Sequence, residues 1–279
     1  MAGNNACVVG SGPNGLTAAI VLAKAGLRTT VFEAQPTIGG GARSAELTLP
    51  GFVHDVCSAV HPLAASSPAF AAFPLAEHGL EWIQPPLPLA HPLDDGSAAI
   101  LARSLDETCA RLGADGAAYR RAIAPLVRRW RELVPMIQGP LVRWPAHAWL
   151  LARFGALALW PAAPLARRFF RTEAARALFA GNGAHSILPL DAFGSAAFGW
   201  VLAAAAHAVG WPIPRGGSQS IAKALASYFE SLGGRIVTNS RIQSLEELGD
   251  ACLVLCDVTP RQFVAIAANR LPDRFSRQL

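Results

Sequence analysis

Three glycines and one acid carry the first chemistry legible in this sequence. In Val8-Val9-Gly10-Ser11-Gly12-Pro13-Asn14-Gly15 the glycines match the pattern G-x-G-x-x-G, and Glu33 comes about twenty residues after the first of them. Each position has a physical reason. Gly10 permits a tight turn, Gly12 lets backbone approach a pyrophosphate, and Gly15 allows close helix–strand packing. A helix opening at this point aims free N–H groups and its positive dipole end at the phosphates. Glu33 would accept hydrogen bonds from ribose hydroxyls, and its charge would repel a 2′-phosphate, which argues against NADP.

The elements that must hold these residues are readable around them. Cys7-Val8-Val9 is a short apolar strand, and Leu16 to Ala25 is a helix of small and aliphatic residues closed by Gly26. Thr29 to Phe32 is the next strand and delivers Glu33. A lone glycine pattern also fits a structural turn. Strand, spacing, helix, Gly26 and acid together favour a dinucleotide site.

The residues after Glu33 bear on which dinucleotide is held. Ala34-Gln35-Pro36-Thr37-Ile38-Gly39-Gly40-Gly41-Ala42-Arg43-Ser44 sets a second glycine cluster before an arginine. With Gly51-Phe52-Val53-His54-Asp55-Val56-Cys57-Ser58-Ala59-Val60-His61-Pro62 behind it, the segment resembles the phytoene-desaturase-like branch of the FAD-dependent amine oxidase superfamily. The resemblance implies FAD as cofactor. It implies contacts from Gly10, Gly12, Pro13, Asn14, Gly15, Glu33 and Ala34, with Gly39, Gly40, Gly41 and Arg43 near the flavin and its diphosphate. A forked arginine suits phosphate oxygens. A flexible turn with a solvated arginine is the competing reading.

A third match lies downstream. Pro214-Arg215-Gly216-Gly217-Ser218 precedes a helix, Gln219 to Leu232, with Ile221, Leu225 and Phe229 at helical spacing and Gly233-Gly234 at its end. Arg235 to Thr238 and Arg241 to Leu245 read as short strands. This resembles the family's return to its FAD domain, where the position of Ile242 meets the adenine through its backbone. Ala251 to Cys256 is a further strand ending at Asp257. Asp257 reads as a loop cap, or as a residue near cofactor, since ligands of open α/β sheets bind beyond strand ends.

Composition narrows the class. The 279 residues are 52% hydrophobic and only 15% charged, which excludes a disordered chain and favours about two domains. The net charge of +5 raises nucleic acid as a partner, but no zinc finger, RNP or basic-helix pattern accompanies it. The five cysteines contain no C-x-x-C pair, which argues against zinc and thiol–disulfide chemistry and fits free thiols in a reducing cytosol. Met1 to Ala6 lacks the pattern of a signal peptide. Trp144 to Ala166 is the one membrane-like stretch, and His147, Arg153, Pro145, Pro161 and Pro164 argue against its spanning a bilayer.

The expected fold class is α/β: a Rossmann-like FAD/NAD(P)-binding domain with an inserted mixed, helix-rich substrate domain. The first cofactor segment takes residues 1–65, the insertion 66–212 and the return segment 213–279. In the insertion, Ser104 reads as an N-cap with Glu107 completing a capping box, and Gly116 to Val134 as a helix interrupted at Pro125. Trp130, Trp144, Trp149, Phe154, Trp160, Phe169 and Phe170 alternate with Arg143, Arg153, Arg167, Arg168 and Arg171. That mixture reads as an aromatic core with snorkelling arginines, or as a membrane-interface or dimer surface. Phe193 to Trp211 reads as a buried helix beside a substrate cavity, with His207 a satisfied core histidine.

By the resemblance, the chain would move hydride equivalents between a C–H bond of a hydrophobic, isoprenoid-like or acyl substrate and flavin. No acid–base pair is legible, and catalytic residues are not assigned. His54, Asp55 and His61 are the nearest polar candidates, with loop hydrogen bonding as their simpler role. In the resembled family the chain continues past a segment like Asp257-Val258-Thr259-Pro260 to a last glycine-rich flavin segment. None comes after it here, so the expectation is an amino-terminal half, inactive alone or complemented. The expected partners are a small hydrophobic substrate, a membrane surface touched peripherally, and a second copy or a complementing carboxy-terminal half, with a cytoplasmic location. The rival readings are an NAD-dependent dehydrogenase and a non-catalytic FAD- or lipid-binding fragment.

Overall fold

The computed structural model describes residues 4–140, 146–267 and 270–276. Its main elements in chain order are β1 (Asn5–Val9), α1 (Pro13–Lys24), β2 (Arg28–Phe32), β3 (Ser44–Glu46), β4 (Val53–Asp55), β5 (Leu89–Pro92), β6 (Ala98–Leu101), α2 (Leu105–Arg111), α3 (Gly116–Arg128) and α4 (Trp130–Ile137). They continue with α5 (Ala148–Ala158), α6 (Ala162–Phe169), α7 (Glu173–Ala184), α8 (Ser195–Ala208), α9 (Gln219–Ser231), β7 (Arg235–Val237), β8 (Leu253–Cys256) and α10 (Pro260–Ala267). The chain divides into two compact units, Met1–Ala59 with Ala72–Trp82 and Ile213–Leu279, and Val60–Ala71 with Ile83–Pro212. Residues 72–82 thus belong to the first unit although they fall inside the interval 66–212.

The first unit is built on a parallel sheet in the order β8-β1-β2-β7. Ala6 to Val9 are buried without alternation, as expected of a parallel strand covered on both faces. Val8 pairs with Val31 of β2 on one side and Leu255 of β8 on the other. Helix α1 makes the crossover from β1 to β2, burying Leu16, Ala19 and Ile20. It ends where Gly26, at φ 86°, turns left-handed, and the N–H groups of Gly26 and Leu27 close on the carbonyls of Ala23 and Leu22. Helix α9 packs on α1 and buries Ile221, Leu225 and Phe229, so the return segment supplies part of the helical layer as well as two strands.

Two local expectations are corrected by the structure. Arg241 to Leu245 is not a strand. Ser244 opens a short 3₁₀ turn, Leu245–Leu248, with a capping box in which Glu247 accepts from the N–H groups of Gln243 and Ser244, both at 3.0 Å. The Ser-x-x-Glu pattern wins over the apolar alternation of the run. Cys256 ends β8 as expected, but the strand begins at Leu253 rather than Ala251.

The second unit is mostly helical and includes the β5–β6 hairpin. Its core gathers Trp200, Tyr119, Ile123, Leu133, Phe170 and Phe179, each nearly inaccessible. Burying side chains of this kind contributes on the order of 1.5–3 kcal/mol each. Helix α8 runs through the centre and packs on α7, α3 and α5. The break expected at Pro125 occurs elsewhere: α3 contains Pro125, and the chain breaks at Arg129 (φ −109°, ψ 20°) before α4 begins. Ser104 does cap α2, accepting from the Glu107 N–H at 3.3 Å, but the Glu107 carboxylate binds Arg111 one turn on, so the box is half made.

The aromatic stretch divides between core and surface. Trp130, Phe154 and Phe170 are buried, whereas Trp149 is 78% and Trp160 53% exposed. Arg143, Trp144 and Pro145 lie outside the described residues. Among the described residues no single helix is long and apolar enough to cross a membrane, and α5 and α6 meet at 97°. Asp115 is buried, yet its carboxyl stays below its usual range. Burial opposes ionisation, and the hydrogen bonds from Thr172 and Arg171 outweigh it.

His207 is hydrogen-bonded on both ring nitrogens. Nδ1 faces the Arg103 carbonyl at 3.1 Å and so donates, which leaves Nε2 to accept from the Tyr119 hydroxyl at 3.0 Å. Burial pushes the His207 imidazole below its ordinary value, and burial plus the neighbouring His185 does the same for His91. Unfolded histidines titrate near 6.5, so below about pH 6.5 the unfolded chain binds more protons than the folded one. Stability is therefore fully present above that pH and declines as pH falls toward the lowered folded values. Urea unfolding at pH 7.5 and 5.5 should show this loss, and H91Q/H207Q should flatten the slope.

Candidate nucleotide-binding site

The ends of β1, β2 and β8 converge on one cavity of about 930 Å³, within the size range of cofactor sites. After Val9 the chain turns at Gly10 (φ 104°), whose N–H donates to the Phe32 carbonyl at 2.8 Å. A Cβ on Gly10 would lie 2.4 Å from the Asp257 carbonyl oxygen, and one on Gly12 2.9 Å from Asp257 Oδ2. These glycines are needed because β8 arrives so close. Pro13 takes the first position of α1, where a missing N–H costs nothing.

The start of α1 is capped from β8. Asp257 Oδ2 accepts from the Gly15 N–H at 2.8 Å, and the Asp257 N–H donates to the Val9 carbonyl at 2.8 Å. Asp257 thus combines the two roles its sequence position allows: it caps, though it caps the helix across the sheet, and it stands in the cavity wall. With Pro13 lacking an N–H and Gly15 engaged, the donors without a protein partner at this turn, among the described residues, are the N–H groups of Gly12 and Asn14. They are what an anion would find.

Glu33 is 8% exposed and already bound by protein. Its Oε2 accepts from the Ser11 N–H (3.1 Å) and hydroxyl (2.5 Å), and Oε1 from the Gln35 N–H (2.9 Å). A carboxylate has about four acceptor positions, so room remains for a further donor from the cavity side. The second glycine cluster is hydrogen-bonded to the first: the Gly39 N–H donates to the Ser11 carbonyl at 3.0 Å. A Cβ on Gly40 would come 3.2 Å from the Gly12 Cα, so the two backbones touch.

Of the residues singled out in the sequence, Gly10, Gly12, Pro13, Asn14, Glu33, Ala34, Gly40, Gly41 and Ile242 line the cavity. Gly15, Gly39 and Arg43 do not. Gly15 lies behind the turn, Gly39 supports it, and Arg43 Nε donates to the Gly40 carbonyl at 2.8 Å. His54 binds Thr48, and Asp55 accepts from the Ser44 hydroxyl and the Ser218 N–H, so both serve loops, while His61 belongs to the second unit. Sequence reasoning missed Ser11, Gln35, Arg241, Thr259 and Gln262 as wall residues. The last two had a signal. Thr259-Pro260-Arg261-Gln262 is a capping pattern, and Thr259 and Gln262 bind reciprocally at the start of α10.

Comparison with known proteins bears on this geometry. Residues 8–73 match the NAD(P)-binding Rossmann-like domain family. The first unit has a Rossmann-like fold. The chain is 34% identical over 133 residues to the mouse (Mus musculus) pyridine nucleotide-disulfide oxidoreductase domain-containing protein 2. That match takes in 47% of this chain and 22% of the mouse protein, well under two thirds of the relative's length. Among solved structures, a putrescine oxidase variant aligns over 98% of this chain and 62% of its own, with TM-score 0.61 and 20% identity. A CLA-producing fatty acid isomerase from P. acnes aligns over 93% and 60%, with TM-score 0.55 and 16% identity. At such identities the likeness is one of fold.

The capping role of Asp257 can be checked directly. D257A leaves the Gly15 N–H without its acceptor and should lower stability by about 1 kcal/mol, as loss of a helix cap does. D257N keeps an oxygen acceptor and should unfold close to the parent in thermal melts. Equal loss in both variants would refute the cap.

Proposed function

We propose that the chain binds FAD and acts as a flavin-dependent oxidoreductase on a hydrophobic substrate, carotenoid- or isoprenoid-like or acyl. The observation that carries FAD over NAD is the second glycine cluster, hydrogen-bonded to the first through Gly39 and Ser11 and meeting it at Gly40 and Gly12. A nicotinamide site built on the first motif alone has no need of it.

In this reading the Gly12 and Asn14 N–H groups receive the diphosphate, helped by the dipole of α1. Glu33, pre-oriented by Ser11 and Gln35, accepts from the adenosine ribose. The chain beside Ile242 borders the adenine. Bound flavin would supply the hydride chemistry, with the protein providing binding, orientation and exclusion of water. The apolar helical unit and the fatty acid isomerase among the structural neighbours support a hydrophobic substrate. The matched family's NAD(P)-binding description keeps an NAD-dependent enzyme as the second reading.

A visible spectrum of the purified chain, with the released cofactor identified after denaturation, separates these readings. Flavin absorbance with FAD released is the expected result. Nicotinamide dinucleotide without colour would favour the second reading, and no uptake of added FAD would overturn both the cofactor and the activity. G12V sets methyl groups against Asp257 at the diphosphate position. It should cost FAD affinity roughly a hundredfold, about 2.7 kcal/mol, while far-ultraviolet dichroism shows the helices intact.

A further inference from the structure

The helical unit holds a groove of about 1170 Å³ formed by α3, α5, α6, α7 and α8, and no part of the nucleotide chemistry uses it. Six arginines line it: Arg121, Arg153, Arg167, Arg168, Arg171 and Arg176. Among the described residues Asp115 is the one acid in the wall, and its oxygens are occupied by the Arg171 N–H, the Thr172 N–H and the Thr172 hydroxyl. Arg167 leans toward Asp191 at 3.8 Å, and Arg176 Nε donates to the Phe170 carbonyl. The guanidinium groups of Arg121, Arg153 and Arg168 have no hydrogen bond or ion pair among the described residues. Positive charge gathered around one concavity attracts an anion to it.

The floor has the opposite character. Phe154, Leu165, Phe170 and Trp200 are all buried side chains of the groove wall. Trp200 is completely buried, and its indole N–H has no acceptor among the described residues. Buried donors are nearly always satisfied, so an acceptor from a ligand would complete this one.

We propose that this groove binds an anionic amphiphile, a carboxylate or phosphate head on a long apolar tail. The head lies among Arg121, Arg153 and Arg168, whose forked guanidiniums suit such anions, and the tail lies on the aromatic floor. The volume is far larger than a bare phosphate needs and matches a head with a long tail. The inference does not depend on flavin, so it can fail or hold independently of the proposed function.

The test uses the purified 279-residue chain and a dansyl-undecanoate fluorescent probe. Dodecanoate below its micelle concentration and dodecyl phosphate should displace the probe. Dodecyltrimethylammonium and inorganic phosphate should not. R153E/R168E, both at exposed positions, should weaken probe binding roughly tenfold or more, the loss expected for a charge-assisted hydrogen bond. R121Q/R168Q should act in the same direction without reversing charge. Flotation with phosphatidylglycerol and phosphatidylcholine vesicles distinguishes the source. Displacement without flotation assigns a free amphiphile, and arginine-dependent flotation with phosphatidylglycerol alone assigns a lipid headgroup. No probe binding, equal displacement by the cationic amphiphile or by oligothymidylate, or binding indifferent to both variants would overturn the proposal.

Discussion

The nucleotide unit depends on one close approach, the end of β8 lying against the glycine turn that comes after β1. Asp257 meets Gly15 across 242 positions of sequence, and its backbone lies so near Gly10 that any Cβ there would collide with it. This contact fixes where α1 begins, which of its N–H groups remain free, and where the return segment enters the sheet. A carboxylate at a helix start is favourable through the dipole and the hydrogen bond together. It also places a fixed negative charge beside the donors that an anionic ligand would use.

A second set of contacts depends on the first. Ser11 sits between Gly10 and Gly12, and its backbone and hydroxyl hold Glu33 while its carbonyl holds Gly39. One serine thereby links the first glycine motif, the acid after β2 and the second glycine cluster. Asn239 and Ser240 add the return segment by donating to the carbonyls of Gln35 and Glu33. The part of the wall built by the two glycine clusters is therefore mostly backbone held by backbone, which is why its residue types other than glycine say little about it.

Legibility in the sequence tracked the range of the forces involved. β1, α1, β2 and α9 were readable to within a few residues because apolar periodicity and glycine stops are local signals. The run from Arg241 departs from the strand its apolar alternation suggests because a Ser-x-x-Glu cap outweighs strand propensity. Pro125 did not break α3, because the break fell where Arg129 leaves helical geometry. The approach of Asp257 to α1, the loss of Arg43 from the wall and the meeting of Arg121 with the arginines of the aromatic stretch in one groove are long-range results of packing. Nothing in a single stretch of sequence announces them.

The strand order β8-β1-β2-β7 has a consequence for how this chain reaches its folded state. Its two central strands are made first, but both flanking strands come from the return segment, after the whole helical unit. During synthesis β1 and β2 must wait as a two-stranded ribbon with both edges open, while the helices between them and their partners can already pack through contacts near in sequence. The exposed edges of β1 and β2 are then the places where a delayed or interrupted chain would associate wrongly.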